Sequence, residues 1–323
     1  MAEEQGRAGD EGEGRIIALL EGLGWTRRGD TNIDVKCDYK YHPDRGNTYG
    51  VDGYMSYDGP YRDKERGIII ESKNIKWSSY GPKDFKKWAD STLEKVEAVP
   101  ESDDFDKYLN FDTPRIVNAG ILSVWTRDED NYNHDTFKGY LDEIPIYPKK
   151  RKKFQILALG NKELNRLASI HSEFESIANR DNTNSIEFFY PPRNDSHSAR
   201  TSLLNLEYLL SDYVFARAEI DQSLPNMTVT RDIGVIFYFD ALELDALNFM
   251  YRAVMEHGME DVDELWVYMY DDRGEDIQLA SVKREFEDNG LPEQLSGDGP
   301  EIKMKTLKQV NYASHADTLQ EEN

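Results

Sequence analysis

The sequence predicts an α/β protein of two domains, an N-terminal one in the order helix, strand, strand, strand, helix, strand and a second α/β domain after it. Three observations predict this. The chain has 323 residues, about twice the usual length of one domain. Apolar residues recur at helical spacing in some segments and alternate at strand spacing in others, from one end to the other. Charge is divided unevenly: residues 1–160 hold 25 basic and 30 acidic side chains and residues 161–323 hold 14 and 32, so the halves carry −5 and −18 of the total of −23.

Residues 1–11 are Gly- and Glu-rich and are expected to be disordered. Ile16, Ile17, Leu19, Leu20 and Leu23 then recur at helical spacing and Gly24 stops the run, which predicts a helix over 12–23. Ile33, Val35, Cys37 and Tyr39 alternate with Asp34, Lys36, Asp38 and Lys40, the period of a half-buried strand. Tyr49–Tyr57 is an aromatic, alternating strand, Asp58-Gly59-Pro60 a turn, and Gly67–Glu71 a buried strand. Phe85, Trp88, Ala89, Leu93 and Val96 form the apolar stripe of a helix over 83–99, and 115–125 is a further buried strand. The hydrophilic stretch 127–153, which ends in five consecutive basic residues, Lys149–Lys153, is expected to be an insertion or linker. The first domain is thus placed at 12–150 and the second at 151–290. In the second, strands at 154–159 and 186–190 flank a helix over 161–178, and strand 235–239, helix 241–257 and strand 265–270 form a β-α-β unit. Asp240 is expected to cap that last helix. Residues 291–323 are expected to form turns, a short amphipathic stretch and a polar tail.

Composition excludes several classes of function. A pI near 4.7 opposes a protein whose standing task is to coat nucleic acid or an anionic membrane. Hydrophobic residues at 38% and aromatics at 11% suffice for packed cores. The lone cysteine, Cys37, excludes a disulfide framework and any multi-cysteine zinc site and fits a reducing compartment, with cytoplasm the expectation. The N-terminus lacks the pattern of a signal peptide, and no membrane span is expected. Six histidines without metal-ligand spacing disfavour a zinc hydrolase, and no phosphate-binding Gly-x-x-x-x-Gly-Lys-Ser/Thr loop occurs.

The chemistry concentrates on Asp52, in the strand Val51-Asp52-Gly53-Tyr54, and on Glu71-Ser72-Lys73, at the end of an apolar strand. The spacing suits two adjacent strands. Side chains alternate along a strand, so Glu71 and Lys73 project on one side and Ser72 on the other. Two carboxylates offer the oxygen ligands that Mg²⁺ prefers, and a lysine beside them can position an attacking water or stabilise charge developing on phosphate. Acid-x-Lys triplets recur at Asp34, Asp38, Asp84 and Glu301. Of these triplets, Glu71-Ser72-Lys73 alone follows a continuous apolar strand with a strand-borne Asp upstream. The competing reading is a surface ion pair between Glu71 and Lys73, worth little energetically.

This constellation resembles the PD-(D/E)XK, or restriction-endonuclease-like, nuclease superfamily over residues 12–127. The resemblance implies a mixed central sheet and a Mg²⁺- or Mn²⁺-dependent phosphodiester hydrolase. It implies that Asp52 and Glu71 hold the metal with the backbone carbonyl of Ser72, and that Lys73 acts on the attacking water. It also matches Glu13, at the start of the first helix, to an acid that many members carry near the metal. Val51 stands where the motif's proline would be, a departure common in the superfamily. DNA is favoured over RNA on the resemblance alone.

Residues 62–95 carry nine basic and six acidic side chains, against the trend of the chain. Lys73, Lys76, Lys83, Lys86, Lys87 and Lys95 contribute to that excess. Lys76, Lys83, Lys86 and Lys87 are the candidates for phosphate contact, with Trp77 and Tyr80 as stacking partners; a solvated helix face is the equal alternative. The acidic second half is better suited to protein contact, with a second copy or another subunit. By analogy, such an arrangement suggests the nuclease subunit of a two-protein bacterial anti-phage system. Two alternatives stay open: a catalytically silent scaffold subunit of the same fold, and an acidic protein-interaction module.

Overall fold

A computed structural model describes residues 2–38, 46–61, 65–105, 116–145, 147–148, 153–192, 197–259, 261–270, 281–282, 284 and 300–322. The chain divides into two units, Met1–Asn165 with Tyr312–Asn323, and Arg166–Asn311. The expected boundary at 150 thus lies fifteen residues before the observed division, and the last twelve residues return to the first unit.

In the first unit, helix α1 spans Ala2–Gly22 and so begins ten residues before the expected start. Ala, Glu, Gln and Arg in its first turns favour helix and outweigh the glycines among them. Its end is legible in the sequence. Gly24 adopts φ 88°, its N–H donates to the Glu21 carbonyl and the N–H of Trp25 to that of Leu20, which closes a Schellman motif. The helix buries Ile16, Ile17, Leu19 and Leu20, and Leu23 is buried just past its end.

Strands β1 (Thr26–Arg27), β2 (Ile33–Lys36), β3 (Thr48–Val51), β4 (Gly53–Tyr57) and β5 (Arg66–Ile75) follow. The single strand expected at 49–57 is broken at Asp52. Before the break β3 pairs with β2 in a two-stranded sheet; after it β4 joins the main sheet. Helix α2 (Pro82–Ala98) starts with Pro82 in its first turn and with the Gly81 N–H donating to Asp84. Strands β6 (Ile116–Thr126) and β7 (Gln155–Leu159) complete a five-stranded sheet of order β1-β4-β5-β6-β7. It is mixed: β1 pairs with β4 and β4 with β5 antiparallel, while β5, β6 and β7 are parallel. The two helices cover opposite faces. Ile69 packs with Val96 and Val99 on the α2 side, and Ile17 of α1 lies over Gly53 and Ile70 on the other.

The stretch expected to be a linker contains helix α3 (His134–Asp142), N-capped by Asn133, whose Oδ1 accepts the Thr136 N–H at 2.8 Å. One buried aromatic, Phe137, holds it against Phe85, a tertiary contact invisible in a hydrophilic segment. Of the basic run Lys149–Lys153, the first four residues lie outside the described residues and Lys153 is exposed. Helix α4 (Asn161–Ala178) follows β7 and crosses from the first unit into the second.

The second unit contains a six-stranded sheet built from β8 (Thr183–Tyr190), β9 (Ala199–Thr201), β10 (Tyr213–Leu224), β11 (Met227–Tyr238), β12 (Glu264–Tyr270) and β13 (Glu301–Leu307). Its order is β13-β12-β11-β10-β8-β9. The β-α-β unit is present, with β11 and β12 parallel and helix α5 (Leu244–Glu256) burying Leu247, Met250, Tyr251 and Val254. Asp240 does not cap α5: Glu243 occupies the N-cap, while Asp240 accepts bonds from the Ala241 N–H at 2.7 Å and the Tyr213 hydroxyl at 2.6 Å. Nor is the C-terminal segment a polar tail. It holds β13, in parallel register with β12, and helix α6 (Tyr312–Glu322), which packs on α1. Among the described residues no helix is long and apolar enough to cross a membrane.

Candidate active site

Strand β4 begins at Gly53, opposite Ile70, so β5 continues past Ile70 with no strand beside it on that edge. Backbone groups along such an edge need partners, and the bend at Asp52 supplies one. The Ser72 N–H donates to Asp52 Oδ2 at 2.7 Å. The Ser72 carbonyl, on the same edge, accepts from Lys73 Nζ at 2.9 Å. Glu71 projects on the α2 face, and its Oε1 accepts from Lys73 Nζ at 2.6 Å. The same ammonium lies 3.7 Å from Asp52 Oδ2.

Asp52, Glu71, the Ser72 carbonyl and Lys73 therefore converge around one point, occupied by the Lys73 ammonium. Two carboxylates and a carbonyl grouped about a positive charge form a hard-oxygen donor set. Among the described residues no cluster of three or more His, Cys, Asp or Glu side chains gathers to hold a metal, so the protein donors here are two carboxylates and one backbone oxygen. That set fits an ion such as Mg²⁺, which keeps several waters.

The surroundings shift the ionisable groups. Burial raises the Asp52 carboxyl above its usual range, with the charge of Glu71 adding to the effect, while Lys73, Lys95 and the Ser72 N–H oppose it. Burial works to lower the pKa of Lys73, but Glu71 and Asp52 outweigh it and the ammonium is held above its ordinary value. Lys73 is thus charged and serves as a donor in this setting.

Glu13 reaches the site from α1. It is 8% exposed, and its pKa is pushed up to about 7 by burial and by the charge of Asp52, with a hydrogen bond to Asn32 acting the other way. Its Oε2 finds no hydrogen-bond partner among the described residues. Its place depends on Gly12, where a Cβ would lie 2.7 Å from Asn74 Cβ and 3.1 Å from Ser72 Oγ. Only a residue without a side chain lets α1 lie this close to β5.

The lysine candidates separate. Lys76, Lys83 and Lys87 are exposed, whereas Lys86 is paired with Asp90 at 2.9 Å one helical turn on. The expected stacking residues are committed to the protein. Tyr80 is buried with its hydroxyl 3.1 Å from that of Thr126, and Trp77 lies against Tyr80, Tyr132 and Tyr140. Lys95 is not a surface lysine at all. It is 6% exposed and its ammonium pairs with Glu71 Oε2. One signal marked it in the sequence: Lys95 follows Thr92 by three residues and Trp88 by seven, on the flank of the apolar stripe of α2.

Three of the other acid-x-Lys triplets lie elsewhere in the fold, and Asp38-Tyr39-Lys40 runs outside the described residues. Asp34 and Lys36 are exposed on β2, Asp84-Phe85-Lys86 is in α2, and Glu301-Ile302-Lys303 is on the edge strand of the second sheet.

Comparison with known proteins agrees with the fold. Residues 1–163 match the family model of the GAPS4 protein PD-(D/E)XK nuclease domain, and no curated protein matches the chain significantly. The match spans half of the chain, which therefore belongs to the GAPS4 family of PD-(D/E)XK nuclease-domain proteins.

Proposed function

With a PD-(D/E)XK nuclease domain as the premise, we propose that this chain hydrolyses phosphodiester bonds of DNA with the help of Mg²⁺ or Mn²⁺, and that Asp52, Glu71 and Lys73 carry the chemistry. The observation that supports this best is the convergence of Asp52 Oδ2, Glu71 Oε1 and the Ser72 carbonyl on the Lys73 ammonium. Those three oxygens would hold the ion, with Glu13 as a further acid beside them. The ion supplies Lewis acidity and an activated water. Asp52 is oriented by the Ser72 N–H before any ligand arrives. Lys73, held as an ammonium, donates a hydrogen bond to the attacking water or to the phosphate oxygen on which negative charge grows. The exposed Lys76, Lys83 and Lys87 would bind backbone phosphates and fix the strand over the site.

The acidic second half weakens attraction to DNA over long range. An enzyme of this charge suits control by a partner protein that docks on the second unit, in a cytoplasmic defence against phage. The test incubates the purified full chain with supercoiled, linear and single-stranded DNA and with RNA, with and without Mg²⁺ or Mn²⁺, beside Asp52→Ala and Lys73→Ala. Metal-dependent cleavage of DNA that both variants lose is the expected result. Equal cleavage by wild type and variants would overturn the assignment.

A further inference from the structure

Glu71 meets two ammonium groups, and the proposed chemistry uses one of them. Lys73 takes Oε1; Lys95, from the opposite side, takes Oε2. We infer that Lys95 is a positioning residue of the nuclease site, which holds Glu71 with Oε1 toward the cation and offsets part of the negative charge of the carboxylate pair. This rests on the reading of Asp52 and Glu71 as the metal-holding acids.

Four observations support it. Glu71 is 5% and Lys95 6% exposed, and charges so buried persist only when paired. Glu71 is the hydrogen-bond and ion-pair partner of Lys95 among the described residues, so the buried ammonium depends on this carboxylate. A carboxylate turns easily about its last torsion, and donors on both oxygens remove that freedom. Finally, the helix that carries Lys95 is set close to the sheet. A Cβ at Gly120 of β6 would lie 2.9 Å from Thr92 Cγ2 and from Val96 Cγ2, the residues that flank Lys95 on the inner face of α2.

The charges explain what the second lysine achieves. Asp52 and Glu71 carry −2, Lys73 and Lys95 carry +2, and a divalent ion brings the site to +2 while Glu13 holds its proton, below about pH 7. That matches the two negative charges of a phosphodiester under attack by hydroxide. Without Lys95 the balance falls to +1, while the carboxylates attract a cation more strongly. Loss of this lysine should therefore tighten metal binding and slow catalysis together, opposite signs that a merely structural lysine does not produce.

The test titrates Mn²⁺ into the full chain by calorimetry and electron paramagnetic resonance, for wild type, Lys95→Met, Lys95→Arg and Glu71→Gln, with melting temperatures recorded alongside. Lys95→Met should bind Mn²⁺ on the order of tenfold more tightly and cleave DNA at least about tenfold more slowly at saturating metal; Lys95→Arg should lie close to wild type in both. Should Lys95→Met not fold, Lys95→Gln, which keeps an N–H donor for Glu71 without the charge, carries the same expectation. Unchanged or weaker Mn²⁺ affinity in the uncharged variants, with binding lost in Glu71→Gln, overturns the role of Lys95 and leaves the metal site standing. Equal affinity in wild type and Glu71→Gln overturns the metal site and this inference with it.

Discussion

At the scale of single residues, the site is a set of buried charges that hold one another in place, and the protonation of Glu13 changes near neutrality. Its pKa is about 7 in the fold against an ordinary 4.5. The unfolded chain therefore releases this proton first, and wild type loses stability as pH rises from about 4.5 to about 7. Glu13→Gln removes that loss. The variant should match wild type near pH 4.5 and gain about 1–2 kcal/mol by pH 8, after allowance for solvent screening. Urea midpoints at the two pH values check this; a difference that does not grow with pH contradicts it. The exposed lysines act differently. Lys83→Glu and Lys87→Glu together should weaken DNA binding uniformly across sequences. For every phosphate left without its lysine, the log–log salt slope should fall by about 0.9, measured by fluorescence anisotropy between 50 and 200 mM salt. An unchanged slope would remove these residues from the interface. That Asp52, Glu71 and Lys73 come together was legible from residue type and spacing. The place of Lys95 beside the apolar stripe of α2 was legible but its partner was not, because no spacing rule links position 95 of a helix to position 71 of a strand.

At the scale of elements, the site exists because β4 starts late and α1 lies close. The late start leaves the edge of β5 open at Ser72, and the close approach needs Gly12. Gly12→Ala places a methyl 2.7 Å from Asn74 Cβ, where α1 or β5 must move. A cost of about 1–3 kcal/mol is expected, read as a lower urea midpoint, with Mn²⁺ affinity reduced as Glu13 is displaced. Gly14→Ala meets only the flexible end of Gln320 and should cost much less. Equal effects of the two substitutions would show that the close approach at Gly12 does not set the helix position. Element types were largely legible here, since α2 and the second half of α1 carry apolar stripes at helical spacing and β5 and β6 carry continuous apolar runs; the Gly- and Glu-rich first half of α1 was not. The break at Asp52 was not, because Tyr49–Tyr57 alternates throughout and the change of partner from β2 to β5 leaves no mark on the pattern.

At the scale of the whole molecule, the chain leaves the nuclease unit after Asn165 and returns to it at Tyr312. Helix α6 is therefore part of the nuclease unit although it is last in sequence. Tyr312 is 1% exposed, sets its ring 5.1 Å from that of Trp125 in a tilted contact and donates its N–H to Asn165 Oδ1 at 2.8 Å. Arg15 of α1 makes a two-pronged bond to Asp317, at 2.6 and 2.8 Å. Truncation after Asn311 should thus loosen α1, and with it Glu13. In hydrogen exchange, amides of α1 should lose protection while those of the β10–β11 hairpin keep theirs, and Tyr312→Ala should cost about 3–5 kcal/mol of stability. Protection that falls equally in both units would mean that α6 does not belong to the first.

The sequence by itself determined the class of fold, the nuclease motif and the concentration of acid in the second half, because periodicity, residue type and charge are local properties that one stretch of chain displays alone. Tertiary structure decided where strands end, which lysine is buried and which unit the last helix joins. Those depend on residues far apart in sequence meeting across a helix and a sheet. The opposition of Lys95 to Glu71, 24 positions away, and of Asp317 to Arg15, 302 positions away, exists only after the chain has folded.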